Sequence, residues 1–197
     1  PAKSMVRLYV FRAGAAGQKA GHNHVFGVPK FEGKVFVPDG APTNARFDLR
    51  VRLEDLVVDD PAWRAQTGDT FAGARSAEDI AGTLKNMLGP KGLDAAQFPD
   101  VRLTSVSVQG DWPILVADVA VTLHGRTRTQ PVMLVVRRAP DHVEAAGTMV
   151  LRQSDFGVEP FAVLGGLLAV QDAVAIRFAL VGAPAPAASS SSTGDSR

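Results

Sequence analysis

A chain of 197 residues with 21 basic and 20 acidic side chains, a net charge of +1, is long enough to bury one sizeable core. Its balanced charge supplies no field that would draw it to nucleic acid or an anionic membrane. The absence of cysteine excludes a disulfide framework, thiolate zinc sites and cysteine nucleophiles, and no apolar run reaches the roughly 18 residues of a bilayer-spanning helix.

In chain order, residues 4–12 alternate, with Val6, Leu8 and Val10 on one side and Arg7, Tyr9 and Phe11 on the other, which predicts a strand. The small, glycine-rich stretch Ala13 to Gly21 reads as a loop. Val25 to Val37 has strand character, with a bend or bulge expected at Pro29 and Gly33. Pro38 to Pro42 is a turn, and Phe47, Leu49, Val51 and Leu53 then alternate with charged residues as a half-buried strand. Asp59-Asp60-Pro61 reads as the end of this region.

Within the long connection that follows, Ser76-Ala77-Glu78-Asp79 is a helix start, a capping serine with acids suited to the positive helix end. Ile80, Leu84, Met87 and Leu88 share one helical face, and Gly89-Pro90 is the stop. Further strands are expected near 101–109, 113–123, 131–138, 142–152 and 173–181. Leu123 to Val132 forms a polar turn between two of them. Pro184 to Arg197 has almost no large apolar side chain and is expected to be disordered.

Eight strands and one clear helix argue for an all-β, antiparallel barrel or sandwich. Apolar residues on both faces of Val132–Val136 and Val174–Leu180 favour an eight-stranded, lipocalin-like barrel with the helix in the long connection. Such a barrel holds either packed side chains or one elongated ligand.

Five segments carry a family resemblance. They are Ser4-Met5-Val6, Phe31-Glu32-Gly33-Lys34-Val35, Phe98-Pro99-Asp100-Val101 with Leu103-Thr104-Ser105, Leu123-His124-Gly125-Arg126-Thr127 with Pro131-Val132, and Gln153-Ser154-Asp155-Phe156-Gly157. In this order and spacing the chain resembles the YceI-like family, lipocalin-like proteins associated with polyisoprenoids and other long-chain amphiphiles. The resemblance covers residues 4–182, with the domain expected over 1–182 and a tail over 183–197. Gly21-His22-Asn23-His24 and the run Phe161 to Val170 depart from the commonest pattern and suggest a subgroup. The implied activity is non-catalytic binding or transport of an isoprenoid, quinone or fatty acid or amide. The implied compartment is the periplasm or the exterior, after removal of a signal peptide, with the cytoplasm left open.

The residues themselves offer further chemistry. His22 and His24 lie two apart, so an extended backbone puts both imidazoles on one face. With His124 they form a candidate metal or enzymatic site, against a simpler reading in which they bond backbone carbonyls at the barrel end. His124 before Gly125 reads first as a turn residue, its ring bonding turn backbone, and second as a ligand contact. Asp155 is either a general acid or base or, more simply, an acceptor for backbone N–H groups.

Phe161 to Val170, with Gly165-Gly166 at its centre, is either an ordinary strand pair or an apolar lip at a barrel mouth. The ligand-binding candidates are therefore Phe156, Phe161, Leu164, Leu167, Leu168, His24 and His124. Arg126, Arg128, Arg137 and Arg138 read as solvated charges, with an anionic head group as the other reading. No Gly-x-Ser-x-Gly, phosphate loop or dinucleotide fingerprint occurs. The expected partner is a hydrophobic small molecule. No nucleic acid or transmembrane segment is expected, a homodimer stays open, and a barrel filled by its own side chains is the remaining alternative.

Overall fold

The computed structural model describes residues 4–183; the expected tail beyond Ala183 lies outside the described residues. The strands and helices are, in order, β1 (Met5–Ala13), α1 (Gly17–Ala20), β2 (His24–Gly27), β3 (Glu32–Phe36), β4 (Arg46–Arg52), β5 (Val57–Val58), α2 (Pro61–Thr67), α3 (Ala77–Leu88), β6 (Asp100–Asp111), β7 (Ile114–Leu123), β8 (Arg126–Arg138), β9 (Val143–Arg152), β10 (Ala162–Val163) and β11 (Leu168–Gly182). All eleven strands belong to one sheet in the order β3-β4-β6-β7-β8-β9-β11-β1-β2-β5, with β10 beside β11. Every pairing is antiparallel, and the sheet curls into a half-barrel.

The expected eight-stranded barrel is therefore corrected in two respects. The stretch 25–37 is two strands, because Pro29 lacks a ladder donor and interrupts it, and the two-residue β5 and β10 carry too little pattern to be read from sequence. The end strands β3 and β5 share no ladder among the described residues, so the curl is not closed by hydrogen bonds. Side chains span the gap instead. At one end Val28, Leu53 and Leu56 pack with Phe31, Val51 and the α3 residues Met87 and Leu88. At the other, a Cβ on Gly182 would lie 3.2 Å from Val35 Cγ1, so β3 comes to rest against the end of β11.

The alternation read from sequence sets the two faces. In β7, Leu115, Ala117, Val119, Val121 and Leu123 point inward and are buried, while Ile114 and Val116 point out and are exposed. In β8, Val132, Leu134 and Val136 face in and Met133 and Val135 face solvent. The run Val132–Val136 thus exposes one face, whereas in Val174–Leu180 only Arg177 is exposed. Helix α3 begins and ends where the sequence indicates, with a full capping box between Ser76 and Asp79 and Gly89 as its C-cap. Two helices escaped the sequence reading. The four-residue α1 lies in the expected glycine-rich loop, and α2 is capped by Asp60 with Pro61 in its first turn, in the segment read as a terminus.

Helix α2 and the 3-10 turn after it cover the convex side of β1 and β2. Arg7 lies 3.7 Å over the Trp63 ring, and Tyr9 and Phe11 meet Phe71 edge-on. Gly27 is required there, because a Cβ would stand 2.3 Å from Trp63.

Candidate functional site

On the concave side, register aligns inward residues into rows. Leu134, Gly147, Phe178 and Val6 form one across β8, β9, β11 and β1. Met149, Ile176, Leu8, Phe26 and Val58 form a second, reaching β2 and β5. Leu151, Val174, Val10 and His24 form a third. Most of these side chains are only half-buried, although they face the inside of the curl. Leu134, Leu151, Ile176 and Phe178 also pack against the buried core, and Val6 and Leu8 against the cluster at Leu53, so the concave face is an apolar wall that keeps partial contact with solvent. The sector formed by β7 and its neighbours is filled: Val108, Leu115, Val119, Val121, Val132 and Phe156 pack there as a core.

The strand directions bring the sequence-predicted site residues to a single end of the half-barrel. This end carries the start of β2, the end of β1, the β7–β8 hairpin, the turn after β9 and the start of β11. The residues there do different things. Phe156 is 1 % exposed and belongs to the packed core. His124 and Gly125 both have positive φ, 50° and 70°, the pattern of a two-residue type I′ hairpin turn. The His124 ring bonds Phe156 O through Nδ1 at 3.3 Å and meets Phe98 edge-on at 4.9 Å. It therefore ties the hairpin to the 153–156 turn, where the sequence reading had it bond its own turn.

Ser154, rather than Asp155, makes the polar link in that segment. Its N–H and hydroxyl donate to Asp172 at 2.8 and 2.7 Å, and these bonds hold the Asp172 carboxyl below the usual carboxylate range. Arg126 packs against Gly157, where a Cβ would stand 2.4 Å from its guanidinium carbon.

The segment 161–168 is a short hairpin, Ala162 pairing with Ala169 and Val163 with Leu168. Its tip is exposed: Phe161 43 %, Val163 39 %, Leu164 70 % and Leu167 50 %. Leu168 is half-buried at the start of β11. The tip is nonetheless tied down. Ala16 N–H donates to Leu167 O at 2.9 Å, and Val170 N–H donates to Phe161 O at 3.0 Å. Three successive residues, Leu164, Gly165 and Gly166, have φ of 52°, 66° and 87°. A left-handed leucine costs energy and persists only where the surrounding structure holds it.

The histidine pair separates in role. His22 is exposed; partial burial, with Arg75 and His24 nearby, lowers its pKa. His24 lies on the concave face, and its Nδ1 is 2.7 Å from Asp59 Oδ2. Asp59 is 2 % exposed and has φ 55°. Its Oδ1 accepts Val25 N–H at 3.0 Å and Arg64 Nη1 at 2.6 Å. Arg64, itself 3 % exposed, also donates to Asn23 O at 3.0 Å and Gly73 O at 2.9 Å. Asn23 accepts Arg12 N–H at 2.9 Å and donates to Thr70 O at 3.2 Å. Burial pushes the Asp59 carboxyl up, but the bonds from His24, Val25 and Arg64 outweigh it and hold the group below the usual range.

Sequence reasoning missed Asp59 and Arg64. The available signal was Asp60-Pro61, a cap followed by proline, which marks a helix that carries Arg64 back to Asp59. Among the described residues, no three His, Asp or Glu side chains converge as a metal site would require. Two shallow surface depressions, about 360 Å³ beside β3 and about 290 Å³ across β8, β9 and β11, include none of the predicted site residues.

The model of the YceI-like domain family matches residues 1–182. The chain belongs to this family. BcnA of Burkholderia cenocepacia superposes with a TM-score of 0.65 at 15 % identity, covering 91 % of this chain and 96 % of that one. The YceI protein of Campylobacter jejuni gives a TM-score of 0.59 at 8 % identity, over 81 % and 84 % of the two chains. A mutant of that Campylobacter protein, solved with a monobromobimane guest, gives 0.60 at 8 % identity. No curated protein matches the chain in sequence. Among the described residues no helix is long and apolar enough to cross a membrane.

Proposed function

We propose that this chain is a non-catalytic carrier whose half-barrel shelters the apolar tail of a long-chain amphiphile. The observation that supports it most is the half-exposed apolar lining of the concave face, seen at Val6, Leu8, Val10, Ile176, Phe178 and Leu180. Each methylene a tail buries there contributes about 0.8 kcal/mol, so a long chain binds without many polar contacts. The association of the YceI-like family with polyisoprenoids fits this chemistry. The exposed tip Phe161–Leu167 is the entry lip in this reading: it is apolar, pinned, and at the same end as the polar residues that would meet a head group.

Native mass spectrometry of the protein purified from cells, followed by organic extraction, tests the proposal. A single amphiphile of defined mass is expected. Protein that emerges empty and takes up no hydrophobic fluorophore would refute it.

A further inference from the structure

The apolar rows of the concave face run into one polar side chain. Leu151, Val174, Val10 and His24 are paired neighbours across four strands, and all four are half-buried. A tail lying along this row meets the His24 ring at the end that carries the lip.

The ring is oriented before any guest arrives. Asp59 Oδ2 stands 2.7 Å from Nδ1. An ionised carboxylate only accepts, so Nδ1 carries a hydrogen, and in the neutral form of the ring the lone pair is at Nε2. Asp59 is itself immobilised by Val25 N–H and by Arg64. Arg64 also pairs with this carboxylate, its Nη1 2.6 Å from Oδ1. The other charged neighbour on this side is Arg75, which together with His24 depresses the pKa of His22. Nε2 has no hydrogen-bond partner among the described residues, and it is not one of the enclosed polar atoms left unsatisfied. With Nδ1 held by Asp59, Nε2 is the ring nitrogen left to meet a guest.

We propose that His24 is the head-group acceptor of this protein: Nε2 takes a hydrogen bond from a hydroxyl on the guest, which selects long-chain alcohols over ethers and hydrocarbons of equal length. Asp59 and Arg64 are positioning residues that fix the tautomer. The proposal rests on the carrier reading above and adds the chemistry of the ligand's polar end.

Displacement of 1-aminoanthracene from the full chain by 1-hexadecanol, by its methyl ether and by palmitate tests it. The alcohol is expected to bind about three- to tenfold tighter than the ether, the value of one net hydrogen bond. His24→Phe abolishes that difference. His24→Gln, whose amide oxygen also accepts, retains part of it. Nitrogen-15 spectra of wild-type imidazoles supply a readout independent of the variants' folding: hexadecanol shifts the His24 Nε2 resonance and the ether does not.

Equal affinity of the wild type for alcohol and ether overturns the proposal, as does discrimination that survives in His24→Phe. Palmitate binding tighter than hexadecanol overturns it in favour of an anion site. Failure of all three compounds to displace the probe removes the carrier reading itself, a result distinct from loss of the alcohol preference alone.

Discussion

Asp59 accepts bonds from a backbone amide, an imidazole and a guanidinium while almost wholly buried, so its charge is the hinge of the local energetics. Its folded pKa lies below the unfolded value near 3.8. Its contribution to stability is therefore fully present above the unfolded pKa and is lost as pH falls through the folded one. Replacing Asp59 with Asn should cost about 3–5 kcal/mol at neutral pH, because Arg64 is left buried without its countercharge. Urea denaturation followed by circular dichroism checks this, and the gap between variant and wild type should narrow as pH drops below the unfolded value of 3.8. No gap at neutral pH would mean the network is solvated. His24 and the Asp60-Pro61 helix start were legible in the sequence, but their meeting was not. His24 and Asp59 are 35 residues apart, and Asp adopts a left-handed φ only as a minority conformation.

At the scale of elements, long strands and the one amphipathic helix were readable, because alternation, capping residues and Gly-Pro stops are local signals. What failed was short or context-driven. β5 and β10 have two residues each, and β8 begins at Arg126, inside a stretch that read as polar turn. That stretch continues the β7 ladder, with Thr122 and Thr127 hydroxyls 2.8 Å apart, and only His124 and Gly125 turn. The 161–168 hairpin admitted two readings, and its exposed tip carries a prediction. Exchanging Leu164 and Leu167 together for Ser should leave stability within roughly 0.5 kcal/mol, since both project into solvent. Transfer of a fluorescent fatty acid from vesicles, measured by stopped flow, should nonetheless slow severalfold. An unchanged transfer rate would remove the tip from the entry route.

Across the whole molecule, the inward rows depend on register, which no single segment specifies but which brings residues from both chain halves onto one wall. The face of each strand was readable. The degree of filling was not, because it depends on how tightly the sheet curls and where its ends meet. Ala145, inward on β9 and half-buried beside Val136, tests the hollow directly. In the carrier reading Ala145→Phe adds a ring to a wall that has room for a guest, so it should cost less than the roughly 1–3 kcal/mol of overpacking a dense core. It should also shorten the longest fatty acid bound, with about 0.8 kcal/mol forfeited per excluded methylene, as read by titration calorimetry along a chain-length series. Unaltered length preference in a folded variant would show that tails bind elsewhere.

The unsealed rims of the sheet carry a further consequence. β3 is a fully exposed outer strand of only five residues, Glu32 to Phe36, and β5 on the opposite rim has two. A longer, uncharged rim would template cross-strand growth between molecules. Here Glu32 and Lys34 put opposite charges along one rim, and the other is too short to recruit a stranger. The chain can thus leave its sheet unsealed and still resist fibril formation.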